Sequence, residues 1–408
     1  MLRVVMTITL LNAAALLSLL AAPDEDFTWP QWDGPDRDGV SRETAWSDEG
    51  AEEHLWTKEL GLGYSTFSVA GGRLYSMGYD EETGLDTVFC LDALTGEEVW
   101  THSYPSKIWD RAHEGGTVNT PTIDGEVVYS LNREGNLYCL DGATGEVRWH
   151  TVLKPEDNPH ELEIPTWGYS ASPLVVGDEL LLNCGRLLRI DKKTGKVRWS
   201  SEDFGHGYGT PAAFTLRDEP VLAAMNGNGL GVVSRADGKT LYFHPYAGKQ
   251  RGIHAATPIV IDDALFVSAG TIPSSGLFAL AEEEVLPVWE GRDMVSSFSG
   301  SVLMGEHLYG FGGQVLKCID IEGEVKWSER GMGNGAVSGA GERLLVMGGD
   351  GALRVAKATP AGFEVLSEAA LFEEGRFWTK PVLVNGIVYC RSSKGSVIAR
   401  DHRLEEDE

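Results

Sequence analysis

The sequence predicts an all-β fold: an eight-bladed β-propeller of four-stranded antiparallel blades, its ring closed by an N-terminal strand. Three observations predict it. A short motif repeats at a spacing of about 40–50 residues, the length of a four-stranded blade. Each copy follows a second hairpin signal. One aromatic strand stands alone near the N-terminus, and the last unit lacks one.

The clearest copies of the motif are CLDALTGEEVW from Cys90, CLDGATGEVRW from Cys139 and RIDKKTGKVRW from Arg189. A shorter copy, CIDIEGEVKW, begins at Cys318, and weaker ones begin at Ser234, Ala279 and Val355. In each strong copy a strand runs to an Asp and a turn at Thr95-Gly96, Thr144-Gly145 or Thr194-Gly195 reverses the chain. The second strand carries a large side chain: Trp56, Trp100, Trp149, Trp199, Tyr242, Trp289 and Trp327, with Leu366 in the last slot. These tryptophans are structural, each burying a large apolar surface between adjacent blades.

The upstream hairpins read SVAGGRLYSMG, PTIDGEVVYSLN, PLVVGDELLLNCG, PIVIDDALFVSAG, SVLMGEHLYGFG and PVLVNGIVYCRS: an apolar strand, a Gly or Asp turn, a second strand. Eight such hairpins are expected, the last beginning near Thr379. The final unit stops at Asp401 with three strands, while HLWTKEL, containing Trp56, is an orphan fourth. Joining the two closes the ring and removes its edges. The competing arrangement is seven blades with a degenerate insert.

At 408 residues the chain could make several average domains, but propellers commonly exceed that average. Fifty dispersed glycines suit many tight turns. The expected organisation is a signal peptide at 1–22, a leader at 23–53, the propeller at 54–401 and an acidic tail at 402–408. Arg3, the apolar run at 4–20 and the small pair Ala21-Ala22 form the signal, which places the protein outside the cytoplasm, periplasmic or extracellular. The small-x-small cleavage pattern is half met, so an uncleaved anchor competes. No later stretch approaches the ~20 apolar residues of a membrane span.

The net charge of −27 excludes nucleic acid, which needs a basic stripe, and disfavours a polybasic membrane mode. Cys90, Cys139, Cys184, Cys318 and Cys390 form no C-x-x-C. Equivalent positions in different blades stand too far apart to bridge, so these read as small buried apolar groups. A monomer is expected.

The Leu-Asp-x-x-Thr-Gly-x-x-x-Trp repeats resemble the pyrroloquinoline-quinone-like propeller repeat over roughly 56–400. That superfamily includes quinoprotein dehydrogenases and an outer-membrane assembly lipoprotein propeller. WPQWDGPDRDGVS from Trp29, WGYSASPL from Trp167, AATPIV from Ala255 and FWTKPVLVNGIVYCR from Phe377 are similar to a secreted propeller group of planctomycete-type bacteria. The quinoprotein enzymes place a vicinal Cys-Cys ring over the quinone and hold Ca²⁺ with a Glu/Asn/Asp set. This chain has no adjacent cysteines, and no such set is identified. The lipid-bearing Cys of the assembly lipoprotein is missing too. Nucleophile elbow, P-loop, H-E-x-x-H and haem C-x-x-C-H motifs are absent.

The loops leading into each innermost strand should ring the channel mouth. They carry His113, Trp167, Tyr169, His206, Tyr208, Arg251, His254, Asn334 and Trp378. Convergent polar groups with aromatic walls suit a small-molecule or peptide site. His206 and His254 are candidates to titrate near neutrality or to hold a metal. The expected function is a non-catalytic exported binding scaffold with a protein, peptide or glycan partner and no cofactor. The alternatives are a quinoprotein-type oxidoreductase binding pyrroloquinoline quinone and an outer-membrane assembly factor.

Overall fold

The computed structural model of the protein describes residues 27–153, 162–245, 254–270, 275–282, 284–296 and 298–404. The signal segment, Arg251 and the last four tail residues lie outside them.

Eight four-stranded antiparallel sheets follow one another around a ring. Blades 1 to 7 occupy 68–105, 122–152, 174–200, 212–245, 259–291, 301–329 and 336–370. Blade 8 combines Val382–Val384, Ile387–Arg391 and Ser396–Asp401 with His54–Glu59 as its outer strand. Trp56 lies opposite Ala399 and Glu59 opposite Ser396, so the orphan strand closes the ring as predicted. Among the described residues no helix is long and apolar enough to cross a membrane. All five cysteines are buried free thiols in the packing between sheets.

Each repeat tryptophan docks on the turn of the next blade. The indole N–H donates to a turn carbonyl: Trp56 to Ala93, Trp100 to Gly142, Trp149 to Lys192, Trp199 to Arg235, Trp289 to Ile321 and Trp327 to Thr359, at 2.7–3.0 Å. The turn glycine serves twice. Gly195 has φ +70°, which favours a residue without Cβ, and a Cβ there would lie 2.6 Å from the Trp149 ring. The Thr-Gly of one blade is therefore the landing pad for the Trp of the blade before. Trp149→Ala is expected to cost about 3 kcal/mol or more through the cavity and the orphaned carbonyl, read as a shifted urea midpoint.

The last slot departs from the sequence reading. In blade 7 Val355 pairs with Ser367, as Cys90 pairs with Trp100, so Ser367 and not Leu366 holds the aromatic position. The reason is a longer turn: twelve positions separate Val355 from Ser367, against ten from Cys90 to Trp100, while the irregularity after Val355 has its counterpart after Cys90. The leader fills the gap. Trp46 packs between Leu345 and Val355 of blade 7 and Leu383 and Val388 of blade 8.

A belt of hydroxyls lines the ring where the chain approaches each inner strand. The backbone N–H of Thr66 donates to Thr120 Oγ1, that of Thr120 to Ser172 Oγ, and that of Ser172 to Thr210 Oγ1. The next residue in several of these loops is Pro121, Pro173, Pro211, Pro258 or Pro381. Its carbonyl takes a second hydroxyl, from Ser68 to Pro121, Thr122 to Pro173 and Ser338 to Pro381. Proline suits a place that needs an acceptor and no donor.

The leader crosses the central channel. Trp29 exchanges both backbone bonds with Val69 of blade 1, and Pro30 O accepts from Ile123 of blade 2. Gln31 Oε1 accepts from Val175 of blade 3, and Trp32 Nε1 donates to Thr257 Oγ1 before blade 5. Asp33 pairs with Lys380 before blade 8 at 2.6 Å. Val40–Ser41 then adds in parallel to the inner strand of blade 7. The leader is thus bonded to blades 1, 2, 3, 5, 7 and 8 or to the loops that enter them.

Candidate binding site

The loops leading into the inner strands converge on one mouth, as the repeat register requires. The position four residues before the inner strand faces the channel in six blades: Tyr64 before Ser68, Val118 before Thr122, Ser170 before Leu174, Tyr208 before Ala212, Ala255 before Ile259 and Trp378 before Val382. With Phe298, His113, Ala112, Trp167, Ser172, Thr210, Arg133 and Trp32 these residues line a cavity of about 160 Å³. Trp32 of the leader lines both this cavity and a second one on its far side, so it forms a floor between them.

The walls are aromatic. Phe298 stacks on Trp378 with centroids 3.8 Å apart, and Tyr64 stacks on Trp378 at 5.1 Å. Trp167 meets Tyr208 edge to face at 5.5 Å. At the rim Tyr64 Oη donates to Glu114 at 2.5 Å, Arg376 lies 3.5 Å from Glu114, and the Arg376 guanidinium covers Trp378. Burial, with the Glu114 carboxylate, pushes the Tyr64 phenol well above its usual range, so it stays a donor.

Arg133 carries the lining's charge. Its Nε donates to Gly116 O at 2.6 Å and Nη1 to Trp167 O at 2.9 Å. Burial pushes its pKa down to about 10, so it remains protonated at neutral pH. Burial and the nearby guanidinium groups push His113 down to about 4, and its Nδ1 accepts from Gly115 N. That ring is neutral at physiological pH.

Behind Arg133 lies Asp86, which accepts from Asn132 Nδ2 at 3.4 Å. Burial raises its pKa to about 6 against hydrogen bonds from Ser106 and Asn132. The folded protein therefore holds this proton more tightly than the unfolded chain. The group's contribution to stability is complete below about pH 4 and lost as pH rises through about 6. Asp86→Asn is expected to gain up to about 3 kcal/mol over wild type at pH 7 and much less at pH 4. Urea denaturation at the two pH values checks it; an equal difference at both would refute the assignment.

The structure brings His113, Trp167, Tyr208 and Trp378 together as lining residues. The others sit elsewhere. Tyr169 lies in the right loop but turns into the core between blades 2 and 3, 1% exposed among Leu131, Leu137 and Cys184. His206 is exposed and faces Glu163 at 3.5 Å. His254 is buried, and burial pushes its pKa down to about 4, so it does not titrate near neutrality as the sequence suggested. Asn334 belongs to the blade 7 loop and does not line the cavity. Among the described residues no three His, Cys, Asp or Glu side chains group as metal ligands do. Sequence reasoning missed Tyr64, Phe298, Arg133 and Trp32. For Tyr64 the signal was present: it precedes its strand by the same four positions as Tyr208 and Trp378.

Comparison with known proteins fits this geometry. The family profile described as outer membrane protein assembly factor BamB matches residues 43–202 and 87–329. The chain belongs to that family, within the pyrroloquinoline-quinone-like propeller superfamily. Among solved structures, BamB from Moraxella catarrhalis superposes with a TM-score of 0.62 at 16% identity, over 87% of this chain and 99% of that one. Quinohemoprotein alcohol dehydrogenase from Comamonas testosteroni gives 0.64 at 14% identity, over 93% and 82%. A europium-containing methanol dehydrogenase gives 0.69 at 11% identity, over 90% of each chain. At these identities the likeness is one of fold. A comparison with curated protein sequences finds no match.

Proposed function

We propose that the protein is an exported, non-catalytic binding scaffold, a monomer, that holds part of a peptide, protein or glycan in the mouth cavity. The observation that carries this reading is the convergence of loops from seven blades on one floored cup with aromatic walls. The described polar residues lining the cup are occupied by structural bonds. The Ser172 and Thr210 hydroxyls accept belt bonds, and Ser170 Oγ donates to Gly168 O. His113 Nδ1 accepts from Gly115 N. Screening peptide and glycan arrays, then titrating the hits calorimetrically, tests the proposal. Trp378→Ala is expected to weaken a true ligand by about tenfold or more. Hits that bind the variant as tightly as wild type would move the site off the mouth.

The described residues do not fit a quinone held as the resemblance implies. The cysteines are dispersed in separate blades, and the rim carboxylate Glu114 is tied to Tyr64 and Arg376. A saturable melting shift of several degrees on adding pyrroloquinoline quinone with Ca²⁺ would overturn that conclusion. The family match favours one further reading, assembly of outer-membrane proteins. Co-purification with outer-membrane barrel proteins tests it.

A further inference from the structure

Among the described residues that line the mouth cavity there is one formal charge, and it is positive. Arg133 is 2% exposed, and its Nη2 has no hydrogen-bond partner. No carboxylate lies within ion-pair distance of it among the described residues. Glu114 stands at the rim, already held by Tyr64 and Arg376, and the Asp86 carboxylate sits behind the guanidinium, hydrogen-bonded to Asn132. Ser170, Ser172 and Thr210 add hydroxyls to the same lining. A buried cation whose charge is incompletely offset makes the cup attractive to an anion and hostile to a cation.

Size and walls narrow the class further. A cavity of about 160 Å³ is close to the ~150 Å³ engineered cavity that takes up benzene, so it seats about one ring. The Trp167–Tyr208 pair belongs to the loops of blades 3 and 4. The Tyr64–Trp378–Phe298 stack belongs to those of blades 1, 8 and 6, with Trp32 as floor. A ring seated between these groups meets edges and faces of aromatic side chains.

We propose that the mouth cavity seats a single aromatic ring bearing a carboxylate, either a free aromatic acid or the C-terminal aromatic residue of a peptide. The ring occupies the aromatic box and the carboxylate faces Arg133 and the lining hydroxyls. This rests on the binding-scaffold reading and names its ligand class.

The test is calorimetric titration of the full-length protein with four probes: phenylacetate, phenylacetamide, and a dipeptide ending in Phe with a free or an amidated C-terminus. Each acid is expected to bind about tenfold or more tightly than its amide, the worth of one charge-assisted contact. Because that comparison uses the wild-type protein, it stands whether or not a variant folds. In Arg133→Gln, if folded by circular dichroism, the preference for acid disappears while the weak amide affinity stays. Phe298→Ala weakens acid and amide together. Equal affinity of phenylacetate and the peptide acid assigns the site to small aromatic acids; much tighter peptide binding assigns it to chain termini. Acids and amides binding alike, or no binding at millimolar concentration, overturns the proposal. If array ligands still depend on Trp378 in that case, the scaffold reading survives; if none does, both fall.

Discussion

Lys380→Met is expected to lower the stability of the propeller by about 3–5 kcal/mol, the cost of leaving one buried charge without its partner. Lys380 is 3% and Asp33 8% exposed, and their side chains meet at 2.6 Å. Burial raises the Asp33 pKa even with Lys380 opposing it. The lysine is therefore the main group that makes a carboxylate tolerable at the foot of the channel. Its ammonium also lies over the Trp32 ring, so the variant should loosen the floor of the cup. Replacing both partners, Asp33→Leu with Lys380→Met, is expected to recover most of the loss. Urea denaturation of the two singles and the double gives the coupling directly. A single variant costing less than about 1 kcal/mol would show that the leader is not anchored there.

Arg391→Met is expected to cost a similar amount, about 3–5 kcal/mol, for a different reason. Its side chain is fully buried in blade 8, yet its guanidinium serves the neighbouring blade 1. Nη1 donates to Ser65 O, Ser76 Oγ and Met77 O, and Nη2 to Gly61 O. Burial pushes its pKa down to about 9, which still leaves it charged at neutral pH. Methionine keeps much of the volume but takes the guanidinium's bonds away from the Gly61, Ser65 and Met77 carbonyls and the Ser76 hydroxyl. Arg391→Lys, with three donors on a flexible stem, should retain part of the stability. Equal melting temperatures for the methionine variant and wild type would show that the seam is held by the strand pair alone.

The ring and its seam were legible because they are written in periodic features. Turn chemistry, alternating strands and a displaced tryptophan recur in register, and Trp56 without a blade of its own could belong only to the last one. The Ser367 position was not legible. The turn of that copy is two residues longer than that of the Cys90 copy, and its decayed motif does not show which residue lies opposite Val355. Trp46 was missed because it replaces a blade's aromatic from a segment with no repeat. The mouth was half legible. The loop position was right for Tyr169, but its side chain turns into the core, and one residue's direction in a loop follows from packing rather than pattern. Arg133 lies on the turn between the middle strands of blade 2, reaching the cup from a loop outside the set that the register points to. The leader was expected only as a segment ahead of the propeller. Its role depends on contacts with blades 1, 2, 3, 5, 7 and 8, which local sequence cannot show.

The closing strand also sets the order of events as the chain folds. Residues 54–59 precede every blade, but their partners at 396–401 are made last. Lys380, which the leader needs, is made late as well. A chain emerging from a ribosome or a translocation pore can therefore build blades 1 to 7 while its first strand waits unpaired. Such long-range pairing is slow, and the waiting edges are exposed to aggregation. Truncation before Ser396 would remove the partner of the first strand as well as the last. Once shut, the seam works the other way. Opening it means separating a strand pair, the Arg391 clasp and the leader together, so the finished ring should unfold slowly.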